Sequence, residues 1–177
     1  VCRCCELNTK TEWSEMMNYE VKGVKTFRGM EGYGFNASLY RDGKKVALVI
    51  DEGNGGDYNF EWFDFKLPRV EATINGLDGE LKVKVTPEES IFLQYVKENT
   101  DASDYEGADT VVARLVDKFE ENKKLKQYCK KETLFRLKSD PDNGVWSSWS
   151  GMGEKTRELI FKKYGDQVAE IANDRFI

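Results

Sequence analysis

The chain has 177 residues, a formal net charge of −5, 40% apolar and 33% charged residues, 15 glycines, 3 prolines, 4 cysteines and no histidine. A chain of this length and apolar content buries a genuine core without metals or disulfides, and its 12% aromatic content excludes the depleted composition of disordered chains. The missing histidine removes Ser-His and Cys-His nucleophile pairs, HExxH and His-Cys-Cys zinc enzymes and histidine-dependent nucleases and deaminases, which leaves carboxylate, lysine, tyrosine or cysteine chemistry, or none.

Residues 1–16 carry no hydrophobic period and no apolar signal-peptide region. Val1 in first position, with Met16-Met17 downstream, suggests an alternative start codon translated literally; residues 1–16 are expected to be a poorly ordered or non-native leader, with Cys2, Cys4 and Cys5 inside it. No stretch approaches the roughly 18 apolar residues that cross a bilayer, and a cytoplasmic protein is expected.

From Tyr19 short β-type runs alternate with glycine and aspartate. Strands are predicted near Glu20–Phe27, Phe35–Arg41, Lys44–Asp51, Tyr58–Phe65, Val70–Ile74 and Glu80–Val85, with Asp42-Gly43 as the strongest hairpin signal because both residues tolerate the positive φ of a type I′ turn. In the last of these strands Leu81, Val83 and Val85 face one way and Glu80, Lys82 and Lys84 the other, the signature of an antiparallel sheet with one solvated face. Thr86-Pro87-Glu88-Glu89 announces a helix to about Asn99: a capping threonine, proline at the first helical position, and acids at the positive end of the dipole.

A second helix is predicted over Ala108–Lys130, with Val111, Val112, Leu115, Val116 and Phe119 at helical spacing and a solvated lysine-rich end. Strands at Thr133–Lys138 and Val145–Trp149 flank a turn through Asp140–Gly144, a last helix covers Gly153–Tyr164, and Gln167–Ala172 reads as a closing strand or a further helical turn. The fold class is α+β: an antiparallel β-meander in the first half (17–86), then helices and a small C-terminal strand/helix unit (87–177) packed on it in one compact domain.

Several constellations bear on chemistry. Gly29-Met30-Glu31-Gly32-Tyr33-Gly34 and Gly53-Asn54-Gly55-Gly56 have glycine content suited to a phosphate cradle, yet each leads into a strand instead of a helix and reads as a connection needing positive φ. Asp51, Glu52, Asp57, Glu61 and Asp64 lie in Val46–Phe65, which has no base; their spacing matches no calcium loop, and no metal or cofactor is assigned. Glu80-Leu81-Lys82, with Asp64 upstream, has the E-x-K spacing of one class of metal-dependent nucleases. Cys2, Cys4, Cys5 and Cys129 match structural zinc spacing poorly and read as reduced thiols.

Lys123, Lys124, Lys126, Lys130 and Lys131 form the one basic concentration, and in a chain of net −5 they allow only local contact with nucleic acid. Val46–Phe65 and Glu98–Asp109, with five acids each and no base, place acidic surface beside strand aromatics taken as exposed, among them Tyr58, Trp62, Trp146 and Trp149. Charge that steers and rings that anchor are what a binder of a basic protein surface needs.

Val24-Lys25-Thr26-Phe27-Arg28-Gly29 through Gly43 to Gly53-Asn54-Gly55-Gly56, together with Leu134-Phe135-Arg136-Leu137-Lys138 and Lys163-Tyr164-Gly165-Asp166, resembles small proteins carried by bacteriophages and prophages. That resemblance implies a habitat only; small acidic phage proteins are often inhibitors of host defence enzymes, including anti-CRISPR proteins and DNA mimics, which raises that reading. The resulting expectation is a non-enzymatic inhibitor of a bacterial defence or nucleic-acid-processing complex, using Asp51, Glu52, Asp57, Glu61, Asp101 and Asp104 as charged contacts and Tyr58, Trp62 and Trp146 as anchors. The alternatives are a divalent-metal nuclease or phosphohydrolase using Asp64, Glu80 and Lys82, and a virion-associated structural protein.

Overall fold

The computed structural model describes residues 17–76, 79–101, 104–140 and 145–176, with the backbone alone for Asp104 and Tyr105. The leader 1–16 and most of the expected turn at Asp140–Gly144, residues 141–144, lie outside the described residues. The chain is an α+β protein dividing into two compact units, 1–117 and 118–177.

The first unit opens with an antiparallel meander of four strands in sequence order, β1 (Tyr19–Arg28), β2 (Tyr33–Arg41), β3 (Lys44–Asp51) and β4 (Asn59–Trp62). Asp42 at φ 50° and Gly43 at φ 78° make the predicted β2–β3 turn. A bulge between Lys22 and Lys25 in β1 surrounds Gly23 at φ 65°, and a second register shift opposite Leu39/Tyr40 leaves Val46 as the extra residue of β3. That shift is why the neighbours Val46 and Ala47 are both buried where strict alternation puts one of them outside. β5 (Val70–Gly76) and β6 (Gly79–Val85) form a separate two-stranded sheet.

The strand predicted over Tyr58–Phe65 stops at Trp62 because the chain turns at Asp64, whose carbonyl accepts the Leu67 N–H. Helix α1 (Pro87–Asn99) starts as predicted, with more than the predicted chemistry: Thr86 and Glu89 complete a reciprocal capping box, and Asp64 Oδ2 accepts the Glu88 N–H at 2.8 Å. Arg41 Nε and Nη2 each donate to a Glu88 carboxylate oxygen at 3.0 Å, tying the end of β2 to the helix start. Phe92, Leu93 and Val96 are the buried face of α1; Leu93 packs with Ile74 and Val85. Because α1 lies on β5, Leu81 on the outer strand of the hairpin is 55% exposed, against its expected inward position.

Phe92 is the hub of an aromatic core, with ring centroids 5.2, 5.7 and 5.7 Å from Tyr19, Phe60 and Trp62. Burial pushes the Tyr19 hydroxyl well above its usual range. Helix α2 (Asp104–Tyr128) buries Ala108, Val111, Val112 and Val116, and a Cβ on Gly107 would meet Val96 Cγ1 at 2.6 Å, so α1 and α2 approach closely there. The boundary between the two units, 117/118, falls within α2.

The glycine-rich segments need two different kinds of freedom. Gly53 and Gly55 have positive φ, 64° and 76°, as expected, whereas Gly29 and Gly34 do not and are small for another reason. A Cβ on Gly34 would meet the Asp51 carbonyl oxygen and lie 2.8 Å from Phe27 Cε2, and one on Gly29 would lie 2.5 Å from the Glu52 and Gly53 carbonyl oxygens. Backbone cannot yield as a flexible side chain does, so Gly34→Ala is expected to cost about 1–3 kcal/mol, measurable by denaturant unfolding, with Gly23→Ala strained by φ alone as the comparison.

The second unit is a three-stranded sheet of order β8-β7-β9, with β7 (Glu132–Leu137) between β8 (Ser147–Ser150) and β9 (Val168–Ile171), backed by α3 (Glu154–Tyr164). The segment predicted as closing strand or helical turn is both, since 3₁₀ turns at Gly165–Gln167 and Ala172–Phe176 flank β9. Phe135, Ile160 and Ile171 form one core cluster and Leu125, Leu134 and Ala172 another. Asn173, which no sequence signal marked, holds the second together: its Oδ1 accepts the Leu134 N–H and its Nδ2 donates to the carbonyls of Cys129 and Glu132. Among the described residues no helix is long and apolar enough to cross a membrane.

Candidate functional site

Charge divides between the units. Residues 1–117 hold 14 Lys and Arg against 22 Asp and Glu, net −8, while residues 118–177 hold 13 against 10, net +3. The modest overall −5 therefore hides a strongly acidic first unit.

Within that unit the two base-free segments meet. Tyr58, just before β4, donates its backbone N–H to Asp109 Oδ2 of α2 at 3.1 Å, and its ring stands edge-on to Phe35 with centroids 5.1 Å apart. Burial pushes the Asp109 carboxyl above its usual range; the Tyr58 N–H opposes that, and the like charges of Asp57 and Asp51 add to it. Burial likewise raises the Tyr58 hydroxyl, helped by Asp51, Asp109 and Asp117, so it remains a protonated donor at neutral pH.

Beside this contact lies a cleft of about 580 Å³, wide enough for a small ligand or a stretch of peptide. Tyr58, Phe60, Trp62, Phe65 and Phe92 are its aromatic residues, Asp57, Glu61, Glu89 and Asp109 its acids, and among the described residues Arg69 is the one cation of the lining. Glu89 is held by the capping box and Arg69 by the Lys84 carbonyl at 3.2 Å. Asp57 and Glu61 are exposed, with no hydrogen bond or ion pair among the described residues.

The expected site residues are placed as follows. Asp51 accepts the Gly53 N–H at 2.8 Å in a tight turn, and exposed Glu52 accepts from Asn54 Nδ2 at 3.0 Å and Asn59 Nδ2 at 3.4 Å. With Asn54 Oδ1 accepting the Gly56 N–H, the loop's own side chains occupy the amides that an anion would need. Asp57, Tyr58 and Glu61 come together at the cleft. Trp62 is not the exposed anchor its position suggested: it is 9% exposed, in contact with Phe60 and Phe92, because even positions of β4 face the core. Asp101 is exposed after α1, and the Asp104 side chain lies outside what is described.

Trp146 belongs to the second unit and is partly buried, its ring 4.4 Å from the Arg136 guanidinium and 5.1 Å from that of Arg175. Glu170 accepts from both arginines, which makes this ring a structural member of a cation–π and ion-pair cluster instead of a free anchor. Trp149 is similarly half-buried, against Tyr164. Lys123, Lys124, Lys126, Lys130 and Lys131 are exposed, as expected of a solvated helix end.

The Glu170 cluster has a pH consequence. The Arg175 and Arg136 guanidiniums hold the Glu170 carboxyl below its usual range. A lowered folded pKa stabilises at pH above the ordinary glutamate range and is lost as the pH falls through the folded value. Thermal midpoints measured below about pH 5 should therefore fall less steeply for Glu170→Gln than for the wild type.

Asp64 and Lys82 have other uses, and Glu80 is exposed: Asp64 caps α1, and Lys82 pairs with Glu71 at 2.9 Å on an exposed hairpin face. Among the described residues no three His, Cys, Asp or Glu side chains are grouped to hold a metal ion. Cys129 is a free thiol pushed up by burial, and Cys2, Cys4 and Cys5 lie outside the described residues. Sequence reasoning missed Asp109 as a member of the site, although it ends the second base-free segment; Arg69 and Glu89 carried no signal, since only the turn at Asp64 and the start of α1 bring them to the cleft. Tyr33, 78% exposed at the β1–β2 tip, was passed over as part of a turn. Comparison with protein-family models, curated proteins and solved structures finds no match to this chain.

Proposed function

We propose that this is a phage or mobile-element protein that binds and inhibits a bacterial defence or nucleic-acid-processing complex through the acidic face of its first unit. The observation that carries the reading is the meeting of the two base-free segments at Tyr58 and Asp109, beside a cleft with aromatic walls where Asp57 and Glu61 have no side-chain partner among the described residues. A unit of net −8 repels nucleic acid and attracts the basic surfaces that handle it, so charge steers the encounter and the rings supply apolar contact. The resemblance to small phage proteins supports the habitat.

The test is capture from bacterial lysate at low and high salt, with elution by competing double-stranded DNA or RNA. A nucleic-acid-handling protein that is retained at low salt, released by salt and displaced by nucleic acid is the expected result. A retained partner that nucleic acid does not displace would overturn the assignment to a nucleic-acid-binding surface.

A further inference from the structure

Resting on that reading and naming the chemistry its site would recognise, we infer that the cleft between β4, the β5–β6 hairpin, α1 and the start of α2 receives arginine side chains from a basic segment of the partner protein. Tyr58, Phe60 and Phe65 bring partly exposed rings to the same 580 Å³, over buried Trp62 and Phe92 and beside four acidic residues, and among the described residues the only lining cation, Arg69, is turned to a backbone carbonyl. A guanidinium is planar, weakly hydrated, able to stack on a ring and to bond a carboxylate through two N–H groups at once. An ammonium lacks the plane and the fork, so aromatic walls favour arginine over lysine.

The alternatives fit less well. A bound metal ion needs oxygen ligands converging on a point, and among the described residues no such group of carboxylates exists. A phosphate or nucleic-acid strand would meet Asp57, Glu61, Glu89 and Asp109 with a single arginine in compensation. Among the described residues the carboxylates do not group tightly enough to hold one metal ion, whereas a short segment carrying more than one cation can meet them separately. Asp57 is exposed at the rim and Glu61 on the outward side of β4 beside it, while Asp109, crowded by burial and by Asp57 and Asp51, is a group whose charge a bound cation would relieve.

The experiment is calorimetric titration of the full chain with blocked tri-arginine and tri-lysine peptides at low and physiological salt. Tri-arginine is expected to bind with one-to-one stoichiometry and about tenfold more tightly than tri-lysine, with Asp57→Asn and Glu61→Gln each weakening it several-fold. Both residues are exposed, so these variants keep the fold. Asp109→Asn supplies a second readout. Because the folded state raises this carboxyl's pKa, its charge costs stability at neutral pH, and the neutral variant is expected to melt higher while binding tri-arginine more weakly.

Equal binding of the two peptides, or arginine binding untouched by Asp57→Asn and Glu61→Gln, would overturn the inference. Tight, variant-sensitive tri-arginine binding upholds it even where lysate capture finds no nucleic-acid-handling partner, in which case the functional reading alone fails. Capture that proceeds normally while tri-arginine ignores the cleft sinks the cleft assignment alone.

Discussion

Phe92→Ala is expected to remove about 3–5 kcal/mol from the first unit, the range for truncating a buried phenylalanine when the walls collapse only partly. Phe92 is 1% exposed and its ring is met from three directions by Tyr19 of β1 and Phe60 and Trp62 of β4. These partners come from both edges of the meander, so refilling the space requires side chains of two separate strands to move. Against a whole-protein stability of about 5–15 kcal/mol the loss is large, and urea unfolding should show a strongly lowered midpoint. Phe92→Leu keeps most of the volume and should cost clearly less.

How much of this was legible in the sequence depends on the range of the interaction. Local signals translated directly: Asp42-Gly43 became a turn with both φ values positive, and Thr86-Pro87-Glu88-Glu89 became a capped helix start, because those choices involve neighbours within four residues. Glycine composition was ambiguous, since positive φ at Gly53 and close backbone approach at Gly34 leave the same letter in the sequence. Alternation placed Phe60 and Trp62 on one face and Glu61 on the other, but it could not say which face was covered. Hence Trp62 read as an anchor when α1 covers it.

The site required contacts between residues 51 positions apart. Both acidic segments stood out as base-free runs, yet only the Tyr58–Asp109 hydrogen bond shows that they form one surface. Trp146 failed as an anchor for a related reason, since the Arg136, Arg175 and Glu170 that enclose it lie 10, 29 and 24 residues away in the chain. A net charge for the whole chain likewise averaged an acidic and a basic unit into a mildly acidic protein.

Reversing charge at Glu52, Asp57 and Glu61 together is expected to reduce partner capture about a hundredfold or more while leaving thermal unfolding near the wild-type value. The three side chains are exposed, and only Glu52 makes hydrogen bonds among the described residues, both to exposed asparagines, so the folded state loses little. The triple lysine variant shifts the first unit from net −8 to −2 and puts three cations where a basic partner must approach. Like-charge contacts then replace attractive ones, affecting both the steered encounter and the bound state. At physiological salt screening acts over about 8 Å, so the effect should be largest at low ionic strength and persist in part for groups enclosed in the cleft. The neutral set Glu52→Gln, Asp57→Asn and Glu61→Gln separates the two contributions: it should lose attraction without adding repulsion and flatten the salt dependence of capture. Capture by the lysine variant at wild-type strength, with a wild-type melting curve, would place the binding surface elsewhere on the molecule.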